Sequence, residues 1–152
     1  PLGYYKDEEK SATTFIVIDN KRYSCPGDWA TVEADGTITL LGRGSACINT
    51  AGEKVFPEEV EEALKTHAGV YDAVVVGVPD DRFGETIAAV VEPAKGADVI
   101  ADELVAHTKV HLAGYKAPRN VLVVDSIDRA PNAKVDYKRW KAYAADHASA
   151  GA

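Results

Sequence analysis

The pattern of apolar and polar positions changes character near Ser45. Before it, apolar residues come in short β-rich runs, "TFIVID" and "ATVEA". "TVEADGTITLL" reads as a hairpin with Asp35-Gly36 at the turn. This first segment predicts loops and short strands, no helix, and little core of its own. It reads as the trailing edge of a larger domain.

From Ser45 onward the periods lengthen. "PEEVEEALKTH" places Val60, Ala63, Leu64 and His67 at helical spacing, with Pro57 suited to the first turn and Glu58 and Glu59 complementing the helix dipole. "VYDAVVVGV" is a continuous β-branched run, hence a buried strand. "PDDRFGE" reads as a turn, and "TIAAVVEP" as the strand that pairs back. "ADELVAHTKVHL" predicts a second helix closed by Gly114, "RNVLVVDSI" a third strand. "DYKRWKAYAADHA" predicts a third helix with Tyr137, Trp140 and Ala144 on one stripe, and the tail "SAGA" is expected to fray. This order predicts an α+β fold, helices packed on an antiparallel or mixed sheet.

Composition narrows the function classes. The chain has 152 residues, is 46% hydrophobic and 27% charged, and carries a net charge of −7 with a pI near 5.0. That balance argues against a nucleic-acid partner, while a local basic site can still hold an anionic small molecule. Cys25 and Cys47 have no metal-ligand or disulfide spacing and read as thiols of a reducing cytosol. No apolar run is long enough for a transmembrane segment. The sequence starts at Pro1 and contains no Met, which reads as a processed or cut piece of a longer chain.

The residues that could carry chemistry are few. Lys134, in "RAPNAKVDYK", follows turn residues and is expected at a loop tip, where an ammonium could offset charge on a phosphate or carboxylate. Gly42 and Gly44 flank Arg43, and Gly52 beside Ala51 forms a second turn with room for an extended ligand. Asp28 could accept hydrogen bonds from a ribose diol. Glu58, Glu59, Glu61 and Glu62 read as a solvated helix face. The histidines 67, 107, 111 and 147 show no metal geometry; His107 and His111 lie one turn apart without an evident third ligand. There is no glycine-rich phosphate loop.

Taken in order, "GDWA", "GRGSACINTAGEKVFPEEVEEAL", "VVGVPDDRFGE", "YKAPRNV" and "DRAPNAKVDY" resemble the end of an adenylate-forming enzyme, of the acyl-CoA synthetase (fatty-acid–CoA ligase) type. The resemblance runs from about Gly3 to Trp140, and its wording is closest to bacterial ligases acting on fatty or sterol-derived carboxylic acids. It implies that residues 1–43 are trailing strands of a large N-terminal adenylation domain and that 44–152 form a mobile C-terminal lid. It implies ATP with Mg2+, bound mainly by the rest of the enzyme, and coenzyme A as co-substrate, in a cytoplasmic protein able to sit peripherally at a membrane. Lys134 would be the catalytic lysine of adenylation. Asp28 and Arg43 would bind the nucleotide, and Arg43, Gly44 and Ser45 would form the hinge. Ala51, Gly52 and Lys54 would line the pantetheine path, with Lys116 and Arg119 near coenzyme A phosphates. Two departures stand out: Ser45 replaces the usual Asp or Lys of the hinge, and Ala133 replaces the usual Gly before the lysine. The same resemblance leaves open an acyl-AMP ligase that loads a carrier protein, and a non-catalytic module that keeps only the lid fold.

Overall fold

The computed structural model describes residues 1–132 and 134–148, apart from the side chains of Ser45 and Ala148. The chain divides into two compact units, Pro1–Ser45 and Ala46–Ala152.

The first unit holds two antiparallel hairpins and, against expectation, a helix. Strands β1 (Phe15–Ile18) and β2 (Lys21–Ser24) are joined at Asp19 and Asn20, both at positive φ (48° and 64°), the type I′ geometry that matches strand twist. Strands β3 (Asp28–Val32) and β4 (Ile38–Arg43) form the hairpin expected around Asp35-Gly36. Gly36 lies at φ 85°, and its N–H donates to Glu33 O, while Thr37 N–H and Oγ1 both donate to Asp35 Oδ1. The expectation of no helix here fails: α1 spans Glu8–Thr14. Asp7 caps it by accepting from Lys10 N–H at 3.0 Å, and Glu8 and Glu9 occupy its first turn. The cap, not an apolar stripe, starts this helix, so periodicity did not reveal it.

The second unit is a mixed sheet covered on both faces. Its long hairpin, β7 (Val70–Asp80) and β8 (Gly84–Pro93), is antiparallel, and β9 (Asn120–Val123) adds in parallel beside β8. The short pair β5 (Ile48–Thr50) and β6 (Glu53–Val55) joins β8 through Thr50 and Gly84. In this sheet β7 is an outer strand. From Ala73 onward side chains alternate, while Val70, before the irregularity at Asp72, joins the first of the two faces. Ala73, Val75, Ile87, Ala89 and Val91 face α2 (Pro57–Lys65) and α3 (Ala101–His111), where they meet Val60, Leu64 and Leu104. Val74, Val76, Val78, Ala88 and Val90 face α4 (Tyr137–Ala148), where they meet Trp140 and Ala144. Burial on both faces explains the unbroken valine run.

Three expectations about helices need correcting. His67 lies beyond α2, which ends at Lys65 with Thr66 as its cap. Gly114 does not close α3: Leu112 is the cap, in extended conformation, and Gly114 opens a short 3-10 turn through Lys116. The four glutamates are not one solvated face. Glu62 is exposed, but Glu61 is only 5% exposed, and Glu58 and Glu59 are half-buried. The physical reason is that Pro57, Val60, Glu61 and Leu64 share the stripe that packs on the sheet. The "SAGA" tail lies outside the described residues.

Candidate functional site

Lys134 is carried by a loop closed at its base. The Ala130 N–H donates to Lys134 O at 3.0 Å, and the Lys134 N–H donates to Asn132 Oδ1 at 3.2 Å. Outside this closure, Arg139 grips Asp128 with both terminal nitrogens at 3.1 Å. Val135 and Tyr137 turn toward the α4 face of the core, and Lys134 between turn and helix is exposed. Among the described residues its ammonium makes no ion pair. Ala133 lies outside the described residues.

The flanks of this loop are tied to β7 and α2. Arg129 holds Asp72 in a two-pronged ion pair, with Nη2 to Oδ1 at 2.8 Å, and reaches Ala73 O at 3.4 Å. Burial pushes the Asp72 carboxyl up, but Arg129 and the Ala73 N–H outweigh it and leave it below its ordinary value. On the other flank the Tyr137 hydroxyl donates to Glu61, 3.1 Å from Oε1 and 3.3 Å from Oε2. Glu61 Oε1 also accepts the Val75 N–H at 2.9 Å. Desolvation raises the Glu61 carboxyl to about 7, against those two donors. Burial and the Glu61 charge push the Tyr137 hydroxyl up as well. The Glu58 Oε2 atom is buried without a hydrogen-bond partner among the described residues. Sequence reading missed Glu61, Tyr137, Asp72 and Arg129 as a group. The usable signal was Glu61's place four residues after Pro57 and three before Leu64.

Asp28 and Arg43 come together, as facing residues of β3 and β4, with Arg43 Nε 3.4 Å from Asp28 Oδ1. Both side chains remain open to solvent. The Gly44 N–H donates to Gly27 O at 3.2 Å, and a Cβ on Gly44 would stand 2.9 Å from Trp29 Cδ1. Gly44–Ala46 is a 3-10 turn, and the Ser45 side chain lies outside the described residues.

Ala51 and Gly52 are the two turn residues between β5 and β6, both at positive φ (53° and 87°). The Ala51 N–H donates to Phe83 O at 2.8 Å, which pins the turn against the β7–β8 connection. A cleft of about 560 Å³ opens beside it, where Ala51, Phe83, Tyr115 and Arg119 meet Lys109 from α3. The Arg119 guanidinium stacks on Phe83 at 4.0 Å from the ring centroid. So Ala51 and Arg119 share one cleft, while Gly52 and Lys54 are exposed residues of the neighbouring turn and strand. Lys116 is committed elsewhere: its ammonium meets Glu59 Oε2 at 2.6 Å, and Glu59 Oε1 accepts the Phe56 N–H at the start of α2.

Residues 59–134 match the AMP-binding enzyme C-terminal domain. The chain belongs to that family. It is 59% identical over 140 residues, 92% of its length, to a medium/long-chain-fatty-acid–CoA/3-oxocholest-4-en-26-oate–CoA ligase of Mycolicibacterium smegmatis, and spans 25% of that relative. The fold is similar to ATP-bound MatB from Rhodopseudomonas palustris, with TM-score 0.78, 30% identity, and coverage of 95% of this chain and 28% of that one. It is also similar to the amide bond synthetase McbA from Marinactinospora thermotolerans, with TM-score 0.80, 33% identity, and coverage of 93% and 28%. The chain thus spans about a quarter of the length of the curated relative.

Proposed function

We propose that this chain is the C-terminal part of an ATP-dependent acyl-CoA ligase for a fatty or sterol-derived carboxylic acid. The observation that carries the proposal is the 59% identity to the fatty-acid and steroid-acid CoA ligase, which extends over 92% of this chain. The exposed Lys134 on its tied loop supports it.

In this reading residues 1–43 complete a large adenylation domain, and 44–152 form the lid that turns about Arg43, Gly44 and Ser45. The exposed apolar side chains of the first unit, Val17, Val32, Ile38 and Leu40 among them, suit a surface that another part of the enzyme covers. The reaction has two halves. In the first, a carboxylate oxygen attacks the α-phosphorus of ATP, pyrophosphate leaves, and an acyl-adenylate forms. In the second, the coenzyme A thiol, losing its proton, adds to the acyl carbon and AMP leaves. Lys134 would serve the first half, since its ammonium offsets the charge of two anions brought together. Asp28 and Arg43 would hold the ribose. Ala51 and Gly52 would let the pantetheine arm pass, with Lys54 beside it. Arg119 in the cleft would meet the anionic end of coenzyme A, and Lys116 would join it only by leaving Glu59. Among the described residues no cluster of three or more His, Cys, Asp or Glu could hold a metal ion; in this reading the magnesium that travels with ATP is bound mainly by the rest of the enzyme. In this reading the enzyme works in the cytoplasm, with peripheral membrane contact suited to an apolar acid. Among the described residues no helix is long and apolar enough to cross a membrane.

The test is pyrophosphate exchange on the full-length enzyme with a panel of fatty and sterol-side-chain acids, wild type beside Lys134→Ala. Exchange that collapses in the variant, with thioester formation from supplied acyl-adenylate preserved, is the expected result. No exchange with any acid would overturn the reading in favour of a non-catalytic module. Transfer to a carrier protein but not to coenzyme A would move it to the acyl-AMP ligase.

A further inference from the structure

The loop from Arg129 to Tyr137 carries Lys134 yet gives its ammonium no partner among the described residues. Where that charge points is therefore decided by what holds the loop's two flanks. Both flanks lead to neighbouring residues of β7, an outer strand of its sheet. On the near flank Arg129 binds Asp72 and reaches Ala73 O. On the far flank Tyr137 binds Glu61, which in turn accepts the Val75 N–H. The carboxylate thus does two things at once: it satisfies an N–H of an outer strand and holds the hydroxyl three residues beyond Lys134.

The choice of residue at position 61 sharpens the point. Its neighbours on the α2 stripe, Val60 and Leu64, are apolar and fully buried. An apolar residue at 61 would avoid the desolvation cost of a buried carboxylate. It would also leave the Val75 N–H and the Tyr137 hydroxyl without this acceptor. A departure from the local pattern that ends at a reactive group is where function is expected to override packing.

Resting on the function proposed above, we infer that Glu61 with Tyr137, and Asp72 with Arg129, are positioning residues for Lys134 in the adenylation half-reaction. They do not touch substrate. They fix the two ends of the loop, so that the ammonium arrives at the reacting carboxylate and phosphate in one place. Misplacement of a catalytic group by about 1 Å is enough to cost orders of magnitude in rate. The same ties have no part in thioester formation, where the lid presents the Gly52 turn instead.

The experiment uses the full-length enzyme with Tyr137→Phe, Glu61→Gln and Asp72→Asn, beside Lys134→Ala. Two assays are run on each: pyrophosphate exchange, and thioester formation from supplied acyl-adenylate. Tyr137→Phe keeps the ring in the core and serves as the mildest variant should the others fold poorly. The expected result is a fall in the kcat of exchange of roughly tenfold for each positioning variant, with the KM for ATP and the thioester rate changed less than about twofold. Equal loss in both half-reactions would show a merely structural role and overturn the inference. So would unchanged exchange in all three variants. If Lys134→Ala abolishes exchange while the three variants do not weaken it, this inference alone fails. If Lys134→Ala leaves exchange intact, the role given to Lys134 fails and this inference with it, while the ligase reading, which only an absence of exchange with every acid overturns, stands.

Discussion

The Tyr137 hydroxyl lies 3.1 Å from Glu61 Oε1, joining α4 to α2 through a carboxyl group that is 5% exposed. Desolvation lifts that group from 4.5 to about 7. The folded chain therefore binds more protons than the unfolded chain between those two values, and stability falls as pH rises through the window. A glutamine at 61 carries no titration. The stability of Glu61→Gln relative to wild type is expected to rise by on the order of 2–3 kcal/mol from about pH 4.5 to pH 8, then level off. Urea unfolding at several pH values measures it; a constant difference across the range would mean that Glu61 titrates as a solvated glutamate.

Gly52 has torsional and steric roles that can be separated. Its φ of 87° disfavours any side chain, yet a Cβ there meets no atom within 4 Å. Gly52→Ala and Gly52→Leu should therefore destabilise the chain alike, by about 1 kcal/mol. If the pantetheine arm passes this turn, thioester formation should fall far more for leucine than for alanine. Equal rates in the two variants would remove the turn from the coenzyme A path.

The two-sided core of the second unit was legible because periodicity reports burial directly. An unbroken run such as Val74–Val75–Val76 requires both faces covered, and Trp140 and Ala144 cover one of them. The hairpin at Asp35-Gly36 was legible because its turn chemistry is local. Helix α1 was not, since a single capping carboxylate, Asp7, starts it. Glu61 escaped for a different reason. Charged residues on a helix are ordinarily solvated, and only the partners supplied by β7 and α4, distant in sequence, make a carboxylate acceptable on the packed stripe. The same holds for Asp72 and Arg129, separated by 57 positions. The resemblance assigns Asp28 and Arg43 to one nucleotide; that they face each other as an ion pair depends on strand register.

Gly44 is held beneath an aromatic ring. A Cβ at this position would approach Trp29 Cδ1 to 2.9 Å, closer than side chains normally come. The ring is half exposed and can swing away, so Gly44→Ala should displace Trp29 and leave the chain folded. In a Trp140→Phe background, where Trp29 is the remaining tryptophan, its emission should shift to longer wavelength in Gly44→Ala. An unchanged spectrum would mean that the backbone, not the ring, yields. If residues 43–45 form the hinge, the same substitution should alter the rate of passage between the two half-reactions.

Arg43 and Asp28 form an ion pair whose position is open to solvent: the side chains are 72% and 37% exposed, and the separation is 3.4 Å. Pairs of this kind are screened by water and contribute little to folding, within about 0.5 kcal/mol. Arg43→Ala should therefore leave the unfolding midpoint of the chain nearly unchanged. If the pair's task is the nucleotide, the same variant should raise the KM for ATP in pyrophosphate exchange by roughly tenfold, the worth of one charge-assisted contact. Asp28→Asn keeps the size of the side chain and some of its accepting capacity, so its effect on KM should be smaller. A large loss of stability in Arg43→Ala with an unaltered KM would make the pair a structural clasp of the β3–β4 hairpin and take both residues out of the nucleotide site.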